Sequence, residues 1–192
     1  MLMSAIPAFE IGVWNAWIFT IWLLIQNYVF KLLVSKEIYQ KAGDPDDVEP
    51  SSSRKIAGYI SITLWLTTTA YSVFLPFQLG TVWFYTGLVI FLLGIIINIS
   101  ATTAFITTPA KNPITKGAYR YSRHPMYISI LLIYLSVTIA SASWIFLLAS
   151  VIWLVLLWLT MGDEENYCSR KYGDTYREYM NRTPRWIGIP RS

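Results

Sequence analysis

His124 stands directly before Pro125, and well downstream Glu164 and Glu165 stand side by side. Proline suits the first position of a helix, because its missing N–H would be unpaired there anyway. His124 then falls near the N-cap, beside free backbone N–H groups and the positive end of the helix dipole, a place that favours a carboxylate. The run Gly117-Ala118-Tyr119-Arg120-Tyr121-Ser122-Arg123-His124-Pro125-Met126-Tyr127 surrounds it with hydroxyls and guanidiniums. His124 is the one side chain whose ordinary pKa lies near neutrality, so proton transfer would fall to it. Consecutive helical residues point about 100° apart, so at most one of Glu164 and Glu165 is expected to face it squarely. Each residue also has a bland reading, as a helix cap, an interfacial charge, a phosphate anchor or part of an aromatic belt. Two facing polar motifs in a chain so poor in polar groups favour a site. Asn98, in an apolar stretch, is a weaker hint, since amides often only link helices.

The elements that must position these residues are read from charge. The fifteen Lys and Arg residues fall in three stretches, Lys31–Lys55, Lys111–Arg123 and Arg170–Arg191. Between them, Ile56–Ala110 and Pro125–Gly162 hold no Asp, Glu, Lys or Arg, and before Lys31 the only charge is Glu10. Such stretches suit hydrocarbon rather than a soluble core. The basic clusters mark cytoplasmic ends, which also accounts for the net charge of +4 without nucleic acid. Cys168 is the single cysteine, so no intrachain disulfide forms, and no metal site is expected.

The expected fold is an all-α integral membrane domain, 1–192, with five transmembrane helices. Span 1 covers Phe9–Val34, long enough to be retained rather than cleaved. A solvated loop with Gly43-Asp44-Pro45-Asp46-Asp47 and Ser51–Ser53 follows. The stretch 56–110 is too long for one crossing at ~1.5 Å per residue. It breaks at Leu75-Pro76-Phe77-Gln78-Leu79-Gly80 into span 2 (Ile56–Leu75) and span 3 (Thr81–Ile106). The next breaks at Ser141-Ala142-Ser143 into span 4 (Met126–Ala140) and span 5 (Trp144–Met161). Five spans leave the N-terminus outside and every basic cluster, with the C-terminus, in the cytoplasm. Spans 4 and 5 make a tight hairpin that returns Glu164 and Glu165 to His124 and Tyr127. A capping box, Thr175-x-x-Glu178, then predicts a short C-terminal helix presenting Tyr172, Tyr176 and Tyr179, as a lid or as a surface anchor.

Gly117-x-Tyr119-x-x-x-Arg123-His124-Pro125-x-Tyr127 resembles the Arg-His-Pro-x-Tyr motif of the isoprenylcysteine carboxyl methyltransferase family. Glu164-Glu165, then Tyr172-Gly173-Asp174-x-Tyr176-x-x-Tyr179 and Arg182-Thr183-Pro184-Arg185, resembles that family's C-terminal pattern. Related enzymes include phospholipid N-methyltransferases and methanethiol S-methyltransferases. The resemblance implies S-adenosylmethionine as methyl donor, held by Tyr119, His124, Pro125, Tyr127, Glu164 and Glu165 within a cofactor-binding and catalytic half, 117–190. Arg123 and His124, with Arg182, are the implied catalytic residues. A thiolate or carboxylate acceptor would be aligned by Arg123, or by Arg182 or Arg185; an amine would need His124 as base. The chain departs from the family at Thr160, where an Arg suited to an acidic substrate is expected, and at Ser129, where a glycine is common. Thr160 weakens the case for a prenylcysteine carboxylate.

The expectation is therefore a membrane methyltransferase acting on a lipid-like or small hydrophobic acceptor, in the cell membrane with its site toward the cytosol. Cys168 with Lys171-Tyr172-Gly173 echoes a pattern of NADPH-dependent sterol reductases, which have many more spans. A non-catalytic membrane scaffold is the remaining alternative.

Overall fold

The computed structural model describes residues 10–33 and 52–190, which are helical apart from the connections. Among the described residues six α-helices follow in order: α1 (Trp17–Leu33), α2 (Ser52–Ser72), α3 (Val82–Thr107), α4 (Pro125–Ser141), α5 (Trp144–Tyr172) and α6 (Asp174–Arg182). A single 3-10 turn, Gly117–Arg120, precedes α4. Among the described residues, the one β-type pairing is an isolated bridge between Asn15 and Pro76. Helices α3 and α5 are long and apolar enough to cross a bilayer, and α1 and α4 are shorter apolar helices. Helix α2 has the length, at 21 residues, but its serines and threonines lower its hydropathy.

Both breaks expected from the sequence are present. The chain leaves α2 at Ser72 and enters α3 behind Thr81, whose hydroxyl accepts from Phe84 N–H. Helix α4 ends on Ala142, a non-glycine residue in the left-handed region at φ 52°. Ser143 then caps α5 by accepting from Phe146 N–H at 3.3 Å. Two residues thus reverse the chain.

Helices α3 and α4 form the most extensively packed pair. Gly87, Gly94 and Ala101 recur at heptad spacing on the buried face of α3, letting the backbones approach closely. A Cβ on Gly87 would lie 2.6 Å from Ala140 Cβ and 2.7 Å from the Ser136 carbonyl, so only glycine fits. The core beyond this seam is aromatic, with Phe19 of α1 stacked on Phe91 of α3 at 4.0 Å between ring centroids. Buried polar groups there are paired across helices: Thr20 with Ser72, Thr68 with Tyr134, and Asn98 with Ser129. Asn98 is therefore a helix link, and Ser129 at the position usually held by glycine supplies its partner.

Three boundaries differ markedly from the sequence reading. Helix α1 starts at Trp17, not Phe9, because Asn15 turns its amide onto the carbonyls of Glu10 and Val73. Phe9, Val34 and the loop 34–51 lie outside the described residues. Helix α2 begins at Ser52, so the loop does not extend to Lys55. Helix α5 continues to Tyr172, eleven residues past Met161, so Asp163, Glu164 and Glu165 lie inside it. The onset of charge is not a helix stop; Glu, Arg and Lys are good helix formers, and Gly162 is tolerated at a cost of about 1 kcal/mol. The stop comes at Gly173, whose φ of +59° suits glycine and whose single residue separates α5 from α6. Gly173 is also the N-cap of α6, with no side-chain cap, so the Thr175–Glu178 capping box is not made.

Candidate functional site

One end of the bundle gathers the loop after α3, the start of α4, the end of α5, and the chain beyond α6. Ala118 N–H is anchored on Ser100 Oγ of α3 at 3.0 Å, fixing the 3-10 turn. Tyr179 of α6 donates its hydroxyl to the Tyr119 and Ser122 carbonyls. Ser122 Oγ accepts from His124 N–H and donates to the Arg185 carbonyl. Arg123 N–H donates to the Pro184 carbonyl, and Gly188 N–H to the Tyr121 carbonyl. The C-terminal segment is thus laced to the 119–124 loop by main-chain bonds.

His124 is the N-cap residue of α4 with Pro125 at the first helical position, as the sequence indicates, yet its side chain makes no cap. The buried ring instead lies between the two glutamates. Nε2 is 3.1 Å from Glu165 Oε1, and Nδ1 is 3.6 Å from Glu164 Oε2. Both carboxylates therefore engage His124, against the expectation of one. The 100° between their Cα–Cβ directions is spanned because the imidazole offers a nitrogen on each side. The Tyr127 hydroxyl donates to Glu164 Oε1, and its ring stacks on that of His124 at 5.5 Å.

Glu165 is buried and is the centre of the charge. Arg185 donates from Nε at 3.0 Å to one carboxylate oxygen and from a terminal nitrogen to the other. Arg123 contributes a third cation at 3.2 Å. Burial alone would push the Glu165 carboxyl up, but hydrogen bonds from His124 and Arg185, with the charge of Arg123, hold it at about 2. For His124, burial acts to lower the pKa; hydrogen bonds to Glu164 and Glu165 outweigh it and raise the value above 6.5. The two carboxylates thus favour the protonated ring, which donates from Nε2 to Glu165 and keeps Nδ1 in a longer ion-pair contact with Glu164.

Of these groups, Arg123, His124, Tyr127 and Glu164 border a cavity of about 260 Å³. Its polar rim includes Tyr119, Arg123, His124, Tyr127 and Glu164, and its apolar wall includes Phe30 of α1 and Phe105 of α3. Arg123 lines it, and among the described residues its Nε is buried without a hydrogen-bond partner. Cys168 also lines the cavity; burial first, then the Glu164 charge, pushes its thiol up to about 11, so it is no nucleophile.

The structure thus brings together Tyr119, Arg123, His124, Pro125, Tyr127, Glu164 and Glu165. It does not bring Arg182, which is exposed on α6 and 3.8 Å from Glu178. Arg185 occupies that place, because Pro184 follows the helix and turns the chain back toward α5. Tyr176 and Tyr179 are buried in the wall rather than presented to a membrane surface. Phe30 and Phe105 escaped the sequence reading, since an apolar residue in an apolar span carries no distinguishing signal. Thr160 lies on α5, with its side chain outside the described ones.

Comparison with known families finds a match to phospholipid methyltransferase over residues 77–175, just over half of the chain. The match runs from the α2–α3 connection to the start of α6 and contains Arg123, His124, Glu164 and Glu165; Arg185 lies beyond it. No curated protein matches the chain.

Proposed function

The chain belongs to the phospholipid methyltransferase family, whose members are membrane methyltransferases. On that premise we propose that it transfers a methyl group from S-adenosylmethionine to a lipid-like or small hydrophobic acceptor at the cytosolic membrane face. The observation that carries the reading is the cavity at the α4–α5 end, lined by Arg123, His124, Tyr127 and Glu164. Five spans with the C-terminus in the cytoplasm remain part of the proposal. In their favour, Lys31, the 111–123 cluster and the 170–185 cluster all emerge at the same end as the cavity.

The residues present fit the cofactor. The Arg123 guanidinium suits a carboxylate, Glu164 suits ribose hydroxyls, and the faces of Tyr119 and Tyr127 suit a sulfonium. When bound, the cofactor supplies an activated methyl group for direct displacement, and the protein has to supply alignment. Glu165 takes part by holding Arg123, His124 and Arg185 in fixed positions. His124, held toward its protonated form, orients Glu164 and Glu165 and is a poor base. The apolar wall of Phe30 and Phe105 favours a hydrophobic acceptor, and Arg185 rather than Arg182 is the tail cation near the reacting end. The family match favours this enzyme over a reductase or a scaffold.

Protein in nanodiscs, given methyl-tritiated S-adenosylmethionine and a membrane lipid extract, should place label in an organic-extractable product. Glu164→Gln should lower that rate by roughly ten- to a hundredfold through lost positioning. Folded wild-type protein that labels no lipid-like or small hydrophobic acceptor would contradict the proposal.

A further inference from the structure

A second cleft, of about 640 Å³, lies on the other side of Pro113 and Tyr179, residues that also line the methyl-transfer cavity. Lys116, Arg120 and Arg182 line it, and among the described residues no Asp or Glu does. Three cations thus converge on one concave space with no described carboxylate in its lining. Their existing engagements are slight. Among the described residues, Lys116 Nζ gives one bond, of 3.1 Å, to the Thr107 carbonyl at the end of α3. Arg182 meets Glu178 only at 3.8 Å between exposed side chains. Among the described residues no carboxylate pairs with Arg120. Asn112, Thr115 and Thr175 add neutral donors around the same space.

Donors of this kind, at the end of α3 where the apolar span stops, suit a tetrahedral oxyanion at the depth of lipid headgroups. We propose that this cleft is a phosphate site that seats the headgroup phosphate of a bilayer lipid one residue-thickness away from the methyl-transfer cavity. The cleft is too large for a bare ion and opens outward, which fits a headgroup with its glycerol attached. Tyr179 links the two spaces, since it lines both and its hydroxyl holds the Tyr119 and Ser122 carbonyls. The role of this neighbour rests on the methyltransferase reading; the anion site itself does not.

The test is calorimetric titration of short-chain dihexanoyl phosphatidylglycerol, and separately of inorganic phosphate, into the full chain in neutral maltoside micelles. Wild type is compared with Lys116→Gln/Arg120→Gln, both exposed positions, and with Lys116→Arg as the charge-preserving control. The expected result is phospholipid binding that falls roughly tenfold or more in the double variant and is retained by Lys116→Arg. S-adenosylmethionine affinity, measured on the same samples, should be equal in wild type and double variant. Inorganic phosphate that binds as tightly as the phospholipid, with the same sensitivity, would overturn the lipid assignment. Phospholipid binding unaffected by the double substitution would overturn the site. Phospholipid binding that depends on Lys116 and Arg120 in a protein that binds no S-adenosylmethionine would support the anion site while defeating the methyltransferase reading.

Discussion

At one end of the bundle, Asn15 donates to the Glu10 and Val73 carbonyls, Ala16 N–H donates to Leu75, and Gln78 N–H to Ala140. Neutral groups make all of these ties. At the other end, Glu165 collects His124, Arg123 and Arg185, and Glu164 shares His124 with Tyr127. Both ends face the same task, closing helix connections against a low-dielectric core. Neutral hydrogen bonds do that at lower desolvation cost than buried ions. Among the described residues only one end buries ion pairs, which marks them for something other than closure, and the cavity lies beside them.

Several substitutions test this contrast, and the largest effect belongs to the charged end. Glu165→Ala leaves three cations facing one another without their shared anion and should cost about 3–5 kcal/mol. Thermal unfolding in micelles reads it, and Glu165→Gln should recover only part. In the neutral middle of the molecule, Gly87→Ala forces a methyl against Ala140 and the Ser136 carbonyl. It should lie at the upper end of the roughly 1–3 kcal/mol typical of overpacking, with unchanged cofactor affinity in the folded fraction. At the neutral end, Asn15→Ala strands two carbonyls and should cost about 1–2 kcal/mol, again with cofactor affinity intact. If Asn15→Ala weakened the cofactor as much as Glu165→Gln, the functional distinction between the ends would fail.

The pH response should also divide the two ends. Glu165 is depressed from 4.5 to about 2, so its contribution is complete above 4.5 and is lost as pH falls toward 2. His124 is raised above 6.5, so its contribution is complete below 6.5 and is lost as pH rises through the folded value. The cluster is at full strength between 4.5 and 6.5. A melting series across pH should show an alkaline decline that His124→Gln removes and Asn15→Ala leaves in place. The smallest effect is reserved for Arg182→Ala: an exposed pair with Glu178 contributes under about 0.5 kcal/mol, whereas Arg185→Ala should be clearly destabilising.

How much of this was legible beforehand follows from what each residue's signal is. Uncharged runs and the breaks at Leu75–Gly80 and Ser141–Ser143 mark the apolar helices directly, because desolvation penalises charge wherever a span lies. Proline beside His124, and the hairpin that returns Glu164 and Glu165 to it, place the heart of the site. Hydropathy says nothing about where a helix stops once it leaves the apolar layer, which is why α5 runs on to Tyr172. The choice between Arg182 and Arg185 depends on Pro184 turning the chain, a tertiary event with only a weak local mark. Phe30 and Phe105 come from α1 and α3 and meet at 5.2 Å only after folding.

The central claim, that the charged end is a cofactor site, is tested most directly by S-adenosylmethionine calorimetry on the full chain in nanodiscs. Wild type, His124→Ala and Glu165→Gln are compared with Asn15→Ala as the neutral-end control. Micromolar-range binding by wild type and Asn15→Ala, weakened by roughly tenfold or more in the two cluster variants, is the predicted result. Folded wild-type protein that takes up neither S-adenosylmethionine nor S-adenosylhomocysteine would contradict it.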